Sequence, residues 1–220
     1  MFIKKDVVFL YCDVNSVICY KTGSVDLLFD IFKIDRNNIL PRQGRVLISD
    51  PFLSDAYFKR SVVFITEHGE KGTVGFVLNK PVDVAINDIL ADFPNIDTAI
   101  SVGGPVGTNS VHYIHELGDI IPNSVKVTNN IWWGGDFEMI KQMIKSGNLD
   151  QDKIRFFVGY SGWEPNQLER EISEDSWVVS EFDSEMIMGS RTKEAWQKAL
   201  NTLGGKYRLW TNFPENPGMN

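Results

Sequence analysis

Glycine and proline break this chain at short, regular intervals, with 18 glycines and 9 prolines in 220 residues. The runs left between them suit strands and brief helices. Gln43-Gly44 precedes an apolar run over 45–48, which Asp50-Pro51 stops. Residues 61–67 (SVVFITE) are β-branched and aromatic and predict a strand. A turn at His68-Gly69-Glu70-Lys71-Gly72 leads into a returning strand over 73–78 (TVGFVL), so the pair reads as a hairpin closed by Asn79-Lys80-Pro81.

Further along, Val84, Ile86, Ile89 and Leu90 suit a short amphipathic helix capped by Asp83 and ended by Pro94. Short strands are predicted over 99–102, 110–114, 154–158 and 177–179. Asp136 opens a helix with Phe137, Ile140, Met143 and Ile144 on its apolar face, and Gly147 stops it. Pro165 suits the first turn of another helix, with Leu168 and Ile172 on its inner face. A last helix spans 192–203 and stops at Gly204. Strands and helices are mixed, and hairpins coexist with crossovers. That argues a single α+β domain with a mixed sheet.

Composition narrows the function. At 43% hydrophobic and 12% aromatic the chain can bury a sizeable core. Its formal net charge is −7 and no run of Lys and Arg appears. Direct contact with nucleic acid or a membrane surface is therefore not expected. The two cysteines, Cys12 and Cys19, have no familiar metal spacing and form no disulfide framework. The body has none, which fits a reducing cytoplasm. Residues 1–31, with a short apolar run that Asp13 interrupts, read as an N-terminal appendage of the kind an upstream translation start adds. The domain proper is expected over 32–220.

Gly159-Tyr160-Ser161-Gly162 matches four-fifths of a nucleophile elbow. The fifth position is Trp163, and no histidine follows Ser161, since the three lie at 68, 112 and 115. Ser161 is therefore read as a small residue in a tight turn made by Gly159 and Gly162. His112 and His115 lie three apart on a predicted strand, where side chains alternate faces, so they make a poor chelate. No metal and no cofactor is expected. Gly103, Gly104 and Pro105 lack the spacing of a phosphate-binding loop and read as a tight connection. Arg60, Glu67, His68, Asn79, Asp136, Gln167 and Glu169 lie at predicted element ends, where pockets collect. Each alone serves as readily as a cap or ion-pair partner. Trp132, Trp133 and Trp163 are candidate binding anchors.

With these segments in hand, the chain resembles the YqgE/AlgH family of bacterial proteins. The stretches that carry the resemblance are GRVLISDPFLSDAYFKRSVVFITEHGEKGTVGFVLNKP, VGGPV, GGDF, RFFVGYSGWEPNQLEREI, SWVV and FPENPGMN. Lys80 stands where the family often has Arg. The resemblance implies a mixed, partly barrel-like β-sheet flanked by α-helices, and it supplies no reaction. Members carry a transcriptional-regulator label, which no helix-turn-helix signature in this sequence supports. The leading expectation is a cytoplasmic, non-enzymatic module that binds an unknown protein or small ligand and acts indirectly on regulation. The alternative is an enzyme whose pocket gathers Arg60, Glu67, His68, Asn79 and Glu169.

Overall fold

A computed structural model of the chain describes residues 37–214 apart from 91 and 97. The appendage expected over 1–31 and most of the C-terminal FPENPGMN stretch lie outside the described residues. Ten strands pair into one sheet in the order β10-β1-β2-β3-β9-β6-β8-β7, with β4 paired to β5 and β5 to β9. They are β1 (Val46–Ser49), β2 (Val62–Gly69), β3 (Gly72–Val77), β4 (Pro81–Val82), β5 (Ile100–Val102), β6 (Val106–His115), β7 (Val125–Lys126), β8 (Trp132–Trp133), β9 (Ile154–Trp163) and β10 (Trp177–Ser180). The β5–β9 pair is parallel and the others are antiparallel. The fold is thus α+β with a mixed sheet, as expected, and the sheet is open rather than closed into a barrel.

The helices are α1 (Ile86–Ile89), α2 (Phe137–Lys145), α3 (Gln167–Ser173), α4 (Ser184–Gly189), α5 (Ala195–Leu203) and α6 (Tyr207–Trp210). None of the described helices is long and apolar enough to cross a membrane.

Local sequence explains many boundaries. The β2–β3 hairpin closes through Gly69 paired with Gly72, as the turn residues predict. Asp136 caps α2 by accepting from the backbone N–H groups of Glu138 and Met139 at 3.0 and 3.1 Å. Gly147 ends the helix at φ +69°, with Asn148 N donating to Met143 O across the terminus. Three expected starts shift, the helix expected from 192 beginning at Ala195. The N-cap of α1 is Ala85 rather than Asp83, and Pro165 lies two residues ahead of α3, which Asn166 opens at φ +63°.

β1 is buried on both faces, with Val46, Leu47, Ile48 and Ser49 fully inaccessible. Period-two alternation sends Leu47, Val63, Val77 and Val179 to one core, where Trp163, Trp177 and Leu168 of α3 cover them. On the other face, Trp196 of α5 donates its indole N–H to Ser49 O at 2.9 Å. A second core gathers Ile100, Tyr113, Ile154 and Phe156 under Ile140 of α2.

β9 belongs to both regions. Its residues 156–158 pair with β5 and, on the other edge, with β6, while 161–163 pair with β3. The predicted turn at Gly159-Tyr160-Ser161-Gly162 does not form; all four residues are strand. Gly159 serves close approach: a Cβ there would meet Val106 O at 2.7 Å and Gly104 O at 2.8 Å. A Cβ on Gly103 would meet Gly159 O at 2.3 Å, and one on Gly104 would meet Tyr160 O at 2.3 Å. The connection between β5 and β6 therefore lies directly on the β9 backbone.

Between the two regions, Arg155 of β9 is fully buried and donates to Leu78 O and Ile187 O, each at 2.5 Å. Its guanidinium sits 5.2 Å from the centre of the Phe157 ring. Burial, followed by the nearby Arg191, pushes its pKa down to about 9, so it remains a cation at neutral pH. A buried charge facing only carbonyls fixes the end of β3 to α4. It thereby positions Leu78 and the residue after it, Asn79.

Candidate functional site

A cavity of about 660 Å³ opens where Asn79 follows β3. Its walls come from four places: the loop ahead of β2, the β3–β4 connection, the end of β5, and the start of α5. That volume lies within the range of about 300–1,000 Å³ typical of small-molecule sites.

Arg60 is the residue most constrained there. It holds φ +50°, a left-handed conformation that a long side chain rarely adopts. Asn79 enforces it. The Asn79 amide Nδ2 donates to Arg60 O at 2.8 Å, while its Oδ1 accepts from Val62 N at 2.9 Å. With only 2% of its surface exposed, Asn79 acts as a clamp across the start of β2. The Arg60 guanidinium then lies 5.1 Å from the centre of the Trp196 ring and donates through Nη2 to Phe213 O. Its Nε is buried and has no hydrogen-bond partner. Strain held by surrounding structure is a recurrent mark of functional positions.

Lys59, Lys80 and Lys193 join Arg60 in the lining, together with Glu194. Lys80 Nζ donates to Lys59 O at 2.9 Å, which draws the two lysine segments together. Among the described residues, the lining includes no Ser, Thr, Cys, His or Asp.

Of the seven candidates at element ends, Arg60 and Asn79 meet in this cavity. His68 lies on β2 with Nδ1 2.7 Å from Thr73 Oγ1 and Nε2 3.5 Å from Glu169 Oε1. Glu67 is exposed beside it. Gln167 accepts from Glu164 N and donates to Glu171 Oε1, both at 2.9 Å. Asp136 is occupied as the cap of α2. The seven do not form a common pocket.

Ser161 is fully buried, and its hydroxyl donates to Gly103 O at 2.9 Å. A second serine, Ser110, lies 2.9 Å from His112 Nε2. Ser110 Oγ donates to Gly107 O at 2.6 Å, so His112 must donate to the serine oxygen rather than accept its proton. That is the reverse of a base-activated nucleophile. His112 and His115 do face opposite ways. His112 packs against Phe76 and Tyr160, and fully buried His115 stacks with Trp132. Among the described residues, no three His, Cys, Asp or Glu side chains gather where a metal could sit. Trp163 is core, only 5% exposed, and Trp132 and Trp133 are half-buried in β8.

Sequence reasoning missed Lys59, Lys193 and Trp196 as cavity residues. Trp196 carried a helical-face signal that reads as core, which it also is. The available sign was Lys193-Glu194 immediately before an apolar helix, the position where a helix start faces a site.

Comparison with known proteins follows from this geometry. A family profile described as AlgH-like matches residues 46–208. A UPF0301 protein of Bacteroides fragilis is 44% identical over 192 residues, 87% of this chain and 97% of that protein. A UPF0301 protein of Bacteroides thetaiotaomicron has the same identity and coverage. Among solved structures, protein DIP2367 from Corynebacterium diphtheriae superposes with a TM-score of 0.66 at 27% identity, covering 84% of this chain and 97% of that one. The solution structure of the AlgH protein from Pseudomonas aeruginosa gives 0.63 at 25% identity, over 78% and 94%.

Proposed function

The chain belongs to the AlgH-like family, and on that footing we propose that it is a cytoplasmic, non-enzymatic binding module whose cavity takes a small ligand. Any regulatory effect then follows from the bound state, not from contact with DNA. The observation that carries this reading is Arg60, held in a strained backbone by Asn79 and laid over Trp196 at a cavity of ligand size. A side chain fixed in advance loses little freedom on binding, which is how a small site gains affinity. A body without cysteine after Cys19 supports a reducing compartment.

The enzyme alternative has weaker support. Of Arg60, Glu67, His68, Asn79 and Glu169, only the first and fourth line the cavity. No nucleophile paired with a base is found among the described lining.

Soaking crystals of the protein in a fragment library tests the proposal. Bound fragments should cluster between Lys80 and Trp196. Fragments scattered over the surface, with this cavity empty throughout, would sink it.

A further inference from the structure

We propose that the cavity at Arg60 is the docking surface of the chain's own C-terminal segment, residues 215–220 (ENPGMN). The assignment stands whether or not a ligand displaces that segment. Phe213 supplies the first argument, because it delivers the chain to the cavity wall. Its carbonyl accepts from Nη2 of Arg60, a lining residue, and its ring lies 5.1 Å from that of Phe52. Both partners belong to the loop between β1 and β2, which also contributes Ala56, Tyr57 and Lys59 to the lining.

The sequence after that anchor is the second. Pro214 and Pro217 stand in P-x-x-P order. In a polyproline II helix of about three residues per turn, both rings share one face. Segments of this kind dock against aromatic-lined surfaces and lose little freedom in doing so. The cavity offers half-exposed Tyr57 together with Pro81, Val82 and Val102.

Buried donors are the third. Arg60 Nε and Trp210 Nε1 are buried and have no hydrogen-bond partner among the described residues. Both belong to residues bonded directly to Phe213, since Trp210 O accepts from Phe213 N at 3.2 Å. A polyproline II segment makes no internal hydrogen bonds, so its carbonyls are free to accept. Two unused donors therefore stand where a segment with unused acceptors sets out.

Length and tethering complete the case. Residues 215–220 reach at most about 20 Å beyond Pro214, and the cavity wall begins at Arg60, which Phe213 already touches. A volume of about 660 Å³ suits a short stretch of chain better than a single side chain. A segment tethered at the rim meets the cavity at an effective concentration on the order of millimolar, so weak contacts hold it. A segment from a partner protein must compete with that advantage.

The test is NMR of the full chain with carbon-labelled proline and methionine. Nuclear Overhauser cross-peaks should join the Pro217 ring and the Met219 methyl to the Tyr57 ring and the Val82 methyls. Pro217→Ala should weaken them and shift the amides of Tyr57, Arg60 and Val82. Tyr57→Ser, at a half-exposed position of the wall, should release the same segment from the other side. An added peptide, FPENPGMN, should bind the Pro217→Ala chain saturably and about tenfold more tightly than a peptide with alanine at both prolines. Absent cross-peaks, or cross-peaks to another face, overturn the inference, as does equal binding of the two peptides. The added peptide binding the parent chain as tightly as the Pro217→Ala chain would make this a surface for a partner's segment and overturn the intramolecular assignment. Fragments bound in the cavity without these cross-peaks would leave the ligand reading standing and overturn this one. Cross-peaks present, with fragments excluded even from the Pro217→Ala chain, would do the reverse.

Discussion

Trp163 and Trp177 donate their indole N–H groups to the same atom, Oε2 of Glu171, at 2.9 and 2.8 Å, with the two rings edge to face at 80°. The other carboxylate oxygen accepts from Gln167 at 2.9 Å. One carboxylate on α3 therefore satisfies the only polar atom of two buried indoles on different strands.

Removing it leaves both N–H groups in the core without an acceptor. Glu171→Ala should cost about 3 kcal/mol, and Glu171→Gln, which keeps one shared oxygen, about 1 kcal/mol. In a chain of this size the alanine variant should melt roughly 6–12 °C lower. Thermal and urea unfolding measure this. An alanine variant within about 0.5 kcal/mol of the parent would show that the shared acceptor contributes little.

Asp50 predicts an opposite sign at alkaline pH. Burial is the main reason its pKa rises from 3.8 to about 6, with the Phe52 N–H pulling down and the Asp175 carboxylate pushing up. Between those values the folded chain holds a proton that the unfolded chain has lost. The stability Asp50 contributes is therefore full below 3.8 and lost as pH rises through about 6. Asp50→Asn should be more stable than the parent at pH 8, by on the order of 1 kcal/mol once solvent screening at this partly open site is allowed for. The difference should close toward pH 4, as paired melting curves across that range will record.

His115 works the other way. Burial holds its pKa below the ordinary 6.5, against the smaller upward pull of the Gly134 carbonyl. Nδ1 accepts from Leu117 N, and Nε2 lies 3.0 Å from Gly134 O, an arrangement that fits the neutral ring. Its stabilising contribution is present above 6.5 and falls away as pH drops through the lowered value. The ring proton resonances should stay flat on acidification past 6.5, where a free histidine is half-titrated. A midpoint at or above 6.5 would contradict this.

Arg155 predicts a large loss with no change of surface. Arg155→Lys keeps the charge but cannot span the carbonyls of Leu78 and Ile187, and Arg155→Met abandons both. Each should cost about 3 kcal/mol in denaturant unfolding. Because Leu78 adjoins Asn79, the lysine variant should also bind cavity ligands more weakly. Full ligand affinity in a destabilised lysine variant would separate the two roles.

Much of the architecture was readable because its signals are local. The 61–67 and 73–78 strands with their turn, the Asp136 cap, and the stops at Gly147 and Gly204 each depend on residues within one turn of the chain. The elements that escaped are short or tertiary. β7 and β8 are two residues each, and α4 and α6 carry little periodicity. Gly159 and Gly162 read as a turn because glycine in sequence does not say what approaches it; at Gly159 it is the carbonyls of Gly104 and Val106, more than fifty residues away. The cavity was half legible. Arg60 and Asn79 stood out at element ends, but Lys193 and Trp196 join them from across the chain, and no spacing rule connects 60 with 196. Glu171 was passed over for Gln167 and Glu169, since only the packed structure tells which side of α3 meets two indoles.

The double membership of β9 has a mechanical consequence. A strand whose first part is hydrogen-bonded on both edges to β5 and β6, and whose last part is bonded to β3, acts as a common seam. Peeling away either region strips rungs from the segment that anchors the other. The domain should therefore come apart in one cooperative event, and the amides of Phe156, Phe157 and Val158 should be among the last to exchange with solvent deuterium.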